Sequence, residues 1–204
     1  MRSLLRLLPI FTFLIPWISS IEISSKLLLI VCDGFRWDYV DKARKGNYSI
    51  NLLEQWIHNG TIADHIKPGF VSTTYPNLWT MMTGLTTEHH GIVHNNFHDF
   101  ELNQTFHGDS SPDFNFYYNS SNSKGREPIW ISNQKNGGRS VSSVWPGGTT
   151  LIKGYETMYR QGVDYDIAWK TRVDFIIKHF TNVSEPANFG LLYFEEPGKY
   201  CNKK

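Results

Sequence analysis

Three polar residues stand where neighbouring elements would aim them into a ligand crevice: Asp33, Thr74 and Asn95. Asp33 ends an apolar run over residues 26–32 and precedes Gly34, so its carboxylate would project from the carboxyl end of a strand, a place that suits a hard metal ion. The same position also suits a helix or turn cap, and the residue alone does not choose between them. Thr74 lies two residues before Pro76, which is well placed as the first residue of a helix over residues 77–83. A threonine there is a common cap. As a nucleophile it needs metal coordination to lower its hydroxyl pKa, and the helix N-terminus beside it would attract a phosphate oxygen. Asn95 could donate its amide to a developing oxyanion, or simply form a turn. Asp33 and Thr74 together point to phosphoryl chemistry in a way that neither does alone.

The histidines offer a second kind of chemistry. His89, His90, His94, His98 and His107 are close in sequence, and His94 and His98, four apart, would share a helix face and hold zinc. The intervening Asn95-Asn96-Phe97 favours a loop, which makes most of these histidines structural or solvated. No GxSxG elbow and no Walker loop is present. Cys32 lies inside an apolar run, so we expect a buried, inert thiol without a bond to Cys201.

The elements that must position these residues alternate along the chain. The run over 26–32 reads as a strand buried on both faces of a parallel sheet. Helical spacing follows around residues 37–40 and 52–57, then a short strand over 61–66 and the helix after Pro76. Residues 98–126, polar and rich in Asn, Ser and Asp, read as a long surface loop. Beyond them come a helix opened by Pro128, a strand around 140–145, a helix over about 164–179 and a second buried strand over 189–194. That order predicts an α/β domain with a mostly parallel sheet, whose ligands gather outside the carboxyl ends of the strands.

With 204 residues and 40% hydrophobic content the chain can bury a core. Twenty Lys and Arg against 19 Asp and Glu give no basic footprint, which predicts no binding of nucleic-acid duplexes. Two cysteines are too few for a disulfide scaffold. Residues 1–20 have the basic start, apolar middle and small-residue end of a signal peptide, with a retained membrane anchor as the alternative. Asn-x-Ser/Thr sequons at Asn47, Asn59, Asn103, Asn119 and Asn182 predict N-glycans and surface positions. Both features predict a secreted protein, or one on the extracellular face of the plasma membrane.

The segments Leu28-Leu29-Ile30-Val31-Cys32-Asp33-Gly34-Phe35-Arg36-Trp37-Asp38-Tyr39 and Ser72-Thr73-Thr74-Tyr75-Pro76-Asn77 resemble the ectonucleotide pyrophosphatase/phosphodiesterase family. The likeness continues through Thr83-Gly84-Leu85, His90-Gly91-Ile92, Asn95-Asn96, Glu127-Pro128-Ile129-Trp130 and Trp145-Pro146-Gly147 to Tyr193-Phe194-Glu195-Glu196-Pro197. The resemblance implies an alkaline-phosphatase-like α/β sandwich, two zinc ions, and hydrolysis of phosphodiester or pyrophosphate bonds of small nucleotide or choline/lipid substrates outside the cell. By position it makes Asp33 a zinc ligand, Thr74 both nucleophile and zinc ligand, Asn95 the amide that steadies the phosphoryl oxygen, and Tyr75 a base-stacking aromatic.

The chain also departs from that pattern. After Glu196-Pro197 the family has an aspartate and, four residues on, a histidine, both zinc ligands; Gly198 and Asn202 stand there instead. The likeness therefore spans residues 21–204 as the N-terminal part of a catalytic domain, with the family's later ligands beyond it. The alternative expectation is a truncated, catalytically inactive secreted glycoprotein. Thr73 where many members have lysine, and Leu78-Trp79 where they have His-Tyr, leave the choice of phosphodiester open.

Overall fold

The computed structural model describes residues 25–108 and 126–201. The expected signal peptide, the sequon at Asn119 and the Cys201 thiol lie outside the described residues.

Four parallel strands form the central sheet: β1 (Leu27–Cys32), β4 (Ser140–Ser143), β5 (Tyr159–Gln161) and β6 (Phe189–Phe194). Their spatial order is β1-β6-β4-β5. β2 (Asn96–Asp99) and β3 (Gln104–His107) make a separate antiparallel hairpin. The helices are α1 (Tyr39–Lys45), α2 (Asn51–Asn59), α3 (Thr74–Thr83), α4 (Thr87–His90), α5 (Ile129–Lys135), α6 (Trp169–Phe180) and α7 (Gly198–Cys201).

The period of two along β6 creates three layers. Phe189, Leu191 and Tyr193 face a core with Trp79 of α3, Trp130 and Ile131 of α5, and Trp145. Leu192 and Phe194 face the other way, against Val141 and Ile176 of α6. Truncating a fully buried tryptophan of this kind costs about 3–5 kcal/mol, so Trp79 and Trp130, whose rings lie 5.5 Å apart, anchor α3 and α5. The α/β domain with a mostly parallel sheet expected from the alternation is the one observed.

Arg172 ties α6 to the end of β6. It is fully buried, and its guanidinium donates to Glu195 Oε2 at 2.7 Å and Oε1 at 3.3 Å, to the Tyr193, Tyr165 and Ile167 carbonyls at 3.1, 2.9 and 2.8 Å. These acceptors use all five N–H groups of the fork. Burial raises the Glu195 carboxyl pKa, but the hydrogen bonds and charge of Arg172 outweigh it and hold the carboxyl below its ordinary range.

Several expectations are corrected. β1 is an edge strand with Leu27 59% exposed, because β6 is its only neighbour among the described residues; β6 and β4, the two inner strands, are buried on both faces. Cys32, at the end of that edge, is a free, exposed thiol rather than a buried one. The strand expected over 61–66 is irregular and exposed, since no neighbouring strand offers it a ladder. The loop expected from residue 98 contains β2 and β3, held by stacking of Phe97 on Phe106 at 4.9 Å. Of the sequon asparagines, Asn47, Asn59 and Asn103 are exposed, whereas Asn182 is half-buried with its Oδ1 accepting from the Ser184 and Glu185 amides. No helix among the described residues is long and apolar enough to cross a membrane.

Candidate active site

The site forms where the ends of β1 and β6 meet the start of α3. Asn77 sets that start: its Nδ2 donates to the Val71 and Thr73 carbonyls at 2.9 and 2.8 Å, and its Oδ1 accepts from the Gly69 amide at 2.7 Å. The loop is thereby stapled to the first turn, with Thr73 extended at φ −124° and ψ 163° as the cap residue. Thr74 is the first helical residue rather than the residue before the helix, so its hydroxyl does not cap. The hydroxyl instead faces the Asp33 carboxylate and, as a hydrogen-bonding neighbour, favours its charged form. The two residues singled out from the sequence are therefore in direct contact.

Asp33 is fixed from three sides. Its amide donates to the Phe194 carbonyl at 2.8 Å, which continues the β1–β6 ladder by one residue. Its carboxylate accepts from the Gly34 amide and from the hydroxyls of Tyr193 and Thr74. Burial pushes its pKa above the ordinary carboxylate value, and these three bonds offset only part of that rise. Tyr193 is buried, and burial first, then the Asp33 charge, pushes its phenol far above the ordinary value. It stays a hydrogen-bond donor at any physiological pH.

Glycine is required where the two strand ends touch. Gly34 has φ +68°, and a Cβ there would lie 2.6 Å from the Gly198 Cα. The Gly198 amide donates to the Asp33 carbonyl at 2.8 Å, and a Cβ on Gly198 would sit 2.7 Å from Asp33 Oδ2. The carboxylate thus occupies the space a side chain at 198 would need.

Asn95 reaches the helix from the other side. Its Oδ1 accepts from the Tyr75 amide at 2.9 Å, which leaves its Nδ2 as the donating end of the amide. Tyr75 is 8% exposed and packs into the core with Ile92 and Phe106. His90 holds the segment leading to Asn95 against α3: its Nε2 lies 3.0 Å from Thr80 Oγ1, and its Nδ1 accepts from the Ile92 amide at 3.1 Å. Burial keeps this imidazole below its ordinary pKa. The sequence patterns single out neither Tyr193 nor Asn77 as a participant and offer His90 only among the histidines; Tyr193, four residues before Pro197 in the matching motif, carries the one available signal.

The remaining histidines do not converge. His98 lies on a strand with its Nδ1 3.1 Å from Thr105 Oγ1, His94 Nδ1 is 3.1 Å from the Asn96 carbonyl, and His89 Nδ1 is 2.8 Å from Thr86 Oγ1. Among the described residues no group of three or more His, Cys, Asp or Glu is arranged to hold a metal ion. Asp33 and Thr74 alone supply too few donors for a two-zinc centre, and the Asp33 oxygens are already engaged by three protein donors. The described residues by themselves do not fit that centre.

Comparison with known proteins supplies the context for this geometry. Residues 27–203 match the family described as type I phosphodiesterase / nucleotide pyrophosphatase. Human bis(5'-adenosyl)-triphosphatase ENPP4 is 33% identical over 180 residues, covering 88% of this chain and 37% of that protein. Human ectonucleotide pyrophosphatase/phosphodiesterase family member 5 is 37% identical over 175 residues, covering 85% of this chain and 34% of the relative. The solved structure of murine ENPP5 superposes with a TM-score of 0.75 at 34% identity, over 86% of this chain and 44% of that one. An inactive threonine-to-alanine variant of murine ENPP5 in complex with AMP superposes equally well, with a TM-score of 0.75. The chain spans little more than a third of these curated relatives. Because the family match runs over residues 27–203, nearly all of the described chain, the chain belongs to the type I phosphodiesterase / nucleotide pyrophosphatase family.

Proposed function

We propose that residues 21–204 are the N-terminal part of an extracellular phosphodiesterase or nucleotide pyrophosphatase domain, and that Thr74 is its phosphoryl acceptor. The observation that carries this reading is the approach of the Thr74 hydroxyl to the half-buried Asp33 carboxylate at the N-terminus of α3. A phosphate ester seated there would meet the positive end of α3 and the donating Nδ2 of Asn95. In the proposed first step the Thr74 Oγ1–P bond forms while the bond from phosphorus to the leaving oxygen breaks, and the hydroxyl proton passes to Asp33 along the existing hydrogen bond. Water then cleaves the phosphothreonine, returning the hydroxyl and releasing a phosphate monoester.

Small nucleotides are the substrate class favoured by the relatives, one of which is named a bis(5'-adenosyl)-triphosphatase and another of which was solved with AMP. Tyr75, next to the acceptor, is the aromatic residue assigned to the base. Zinc is the cofactor that the family resemblance supplies, with Asp33 and Thr74 as this chain's donors toward it. The N-terminal pattern and the exposed sequons support glycosylation and secretion, with membrane association only through a retained N-terminal anchor.

A second reading, a noncatalytic glycoprotein that binds phosphate esters without turning them over, is favoured by the short donor set at Asp33 and Thr74. One experiment separates the two. The purified secreted chain and its Thr74→Ala variant are assayed with a chromogenic nucleotide diester in the presence of zinc, and AMP binding is followed by calorimetry. Turnover that falls at least about 100-fold in Thr74→Ala supports the hydrolase. AMP binding without turnover in either protein selects the noncatalytic reading, and neither binding nor turnover overturns both.

A further inference from the structure

The hairpin of β2 and β3 begins at the residue after Asn95 and ends at the residue before Gly108. The Gly108 amide donates to the Asn95 carbonyl at 2.8 Å, which extends the ladder one step beyond the Asn96–His107 pair. Gly108 is buried against the ring of Tyr75: a Cβ there would lie 1.8 Å from Cδ2 and 2.0 Å from Cε2, and 2.9 Å from the Asn95 carbonyl oxygen. Unlike Gly34, Gly108 does not have a positive φ. Its backbone conformation is open to any residue, so what demands glycine is the approach of the ring.

A closed circuit results. Gly108 touches the Tyr75 ring and holds the Asn95 backbone, while the Asn95 side chain accepts from the Tyr75 amide at 2.9 Å. Phe106, two residues before Gly108, is buried in the core with Tyr75 and stacks on Phe97, so the hairpin cannot lift without disturbing that packing. A methyl group on residue 108 must displace the ring or the Asn95 carbonyl, and either shift disturbs the junction of Tyr75 with Asn95.

We propose that Gly108 is a positioning residue of this site, setting the Asn95 amide and the Tyr75 ring together for the phosphate ester. The proposal rests on the phosphoester reading of the site. Its logic is steric, so relief of the contact must restore what the methyl group removes.

The test compares the full chain with G108A, Y75A and the double variant, by thermal melting and by calorimetric titration with AMP. G138A, which crowds the distant Asn133 side chain, serves as the control for a merely structural effect. G108A is expected to melt several degrees lower and to bind AMP at least about tenfold more weakly, while the double variant melts and binds like Y75A. G138A is expected to leave AMP affinity unchanged. Additive effects of the two substitutions, or wild-type AMP affinity in G108A, would overturn the proposal. Should G108A fail to fold, tyrosine nitration of the wild-type chain decides: Tyr75 must react at least about tenfold more slowly than the 73%-exposed Tyr48, and equal rates refute the contact. If the wild-type chain binds no AMP, the phosphoester reading fails, and the melting temperatures still report on the ring contact by themselves.

Discussion

Replacing Arg172 by methionine should be among the most costly single changes in this chain. The substitution keeps much of the apolar stem but removes a guanidinium whose N–H groups serve Glu195, Tyr193, Tyr165 and Ile167. Glu195 is 8% exposed and would be left as a buried charge without its partner. Breaking such a pair from one side costs about 3–5 kcal/mol. In a domain of this size each kcal/mol lowers the melting temperature by roughly 2–4 °C, so the expected drop is about 6–20 °C. Urea unfolding of Arg172→Met, Glu195→Gln and the double variant provides the measurement. The double variant should be at least about 1 kcal/mol more stable than the sum of the single losses requires, since no unpaired carboxylate remains. Wild type should also lose stability as the pH falls through the depressed Glu195 pKa, because that carboxylate contributes only while ionised, and Arg172→Met should lack this acid limb. A loss below about 1 kcal/mol at unchanged m-value would refute the assignment of Arg172 as the tie between α6 and β6.

Two further outcomes are expected. His90 is held neutral by burial, so the unfolded chain takes up its proton at higher pH than the folded one; stability should fall as pH drops below about 6.5, and His90→Asn should flatten that limb between pH 5 and pH 7.5 in urea titrations. The Glu88 charge opposes this shift, so Glu88→Gln should deepen the limb. Gly34→Ala should cost at least about 1–2 kcal/mol from the positive φ alone, with more from the Gly198 contact, and a variant that melts with wild type would refute the left-handed turn.

The sequence carried the alternation of elements and the partnership of Asp33 with Thr74, because both depend on local pattern and on one matching motif. It could not separate β1 from β6. Both are continuous apolar runs, and whether such a run has one neighbour or two depends on strands far away in the sequence. β5 leaves no periodic signal because its three residues, Tyr159–Gln161, are too few for one and are recruited by pairing with β4. The hairpin has the composition of a loop because Asn96, His98, Thr105 and His107 are polar, whereas the alternate residues Phe97 and Phe106 do the packing. Tyr193 and Arg172 acquire their roles only through contacts with Asp33 and Glu195, which no spacing rule reports.

The pairing of the first strand with the last has a consequence for synthesis. Leu27 aligns with Phe189 and Cys32 with Phe194, so β1 leaves the ribosome long before the only strand that binds it among the described residues. At synthesis rates of roughly 5–20 residues per second the interval is about 8–32 s. Throughout that time the uncharged segment Leu27–Cys32 is an unpaired apolar strand, the kind of segment chaperones retain and aggregates recruit. Folding of this domain is therefore paced by translation: until Phe189–Phe194 emerges, Asp33 has no partner strand to hold it.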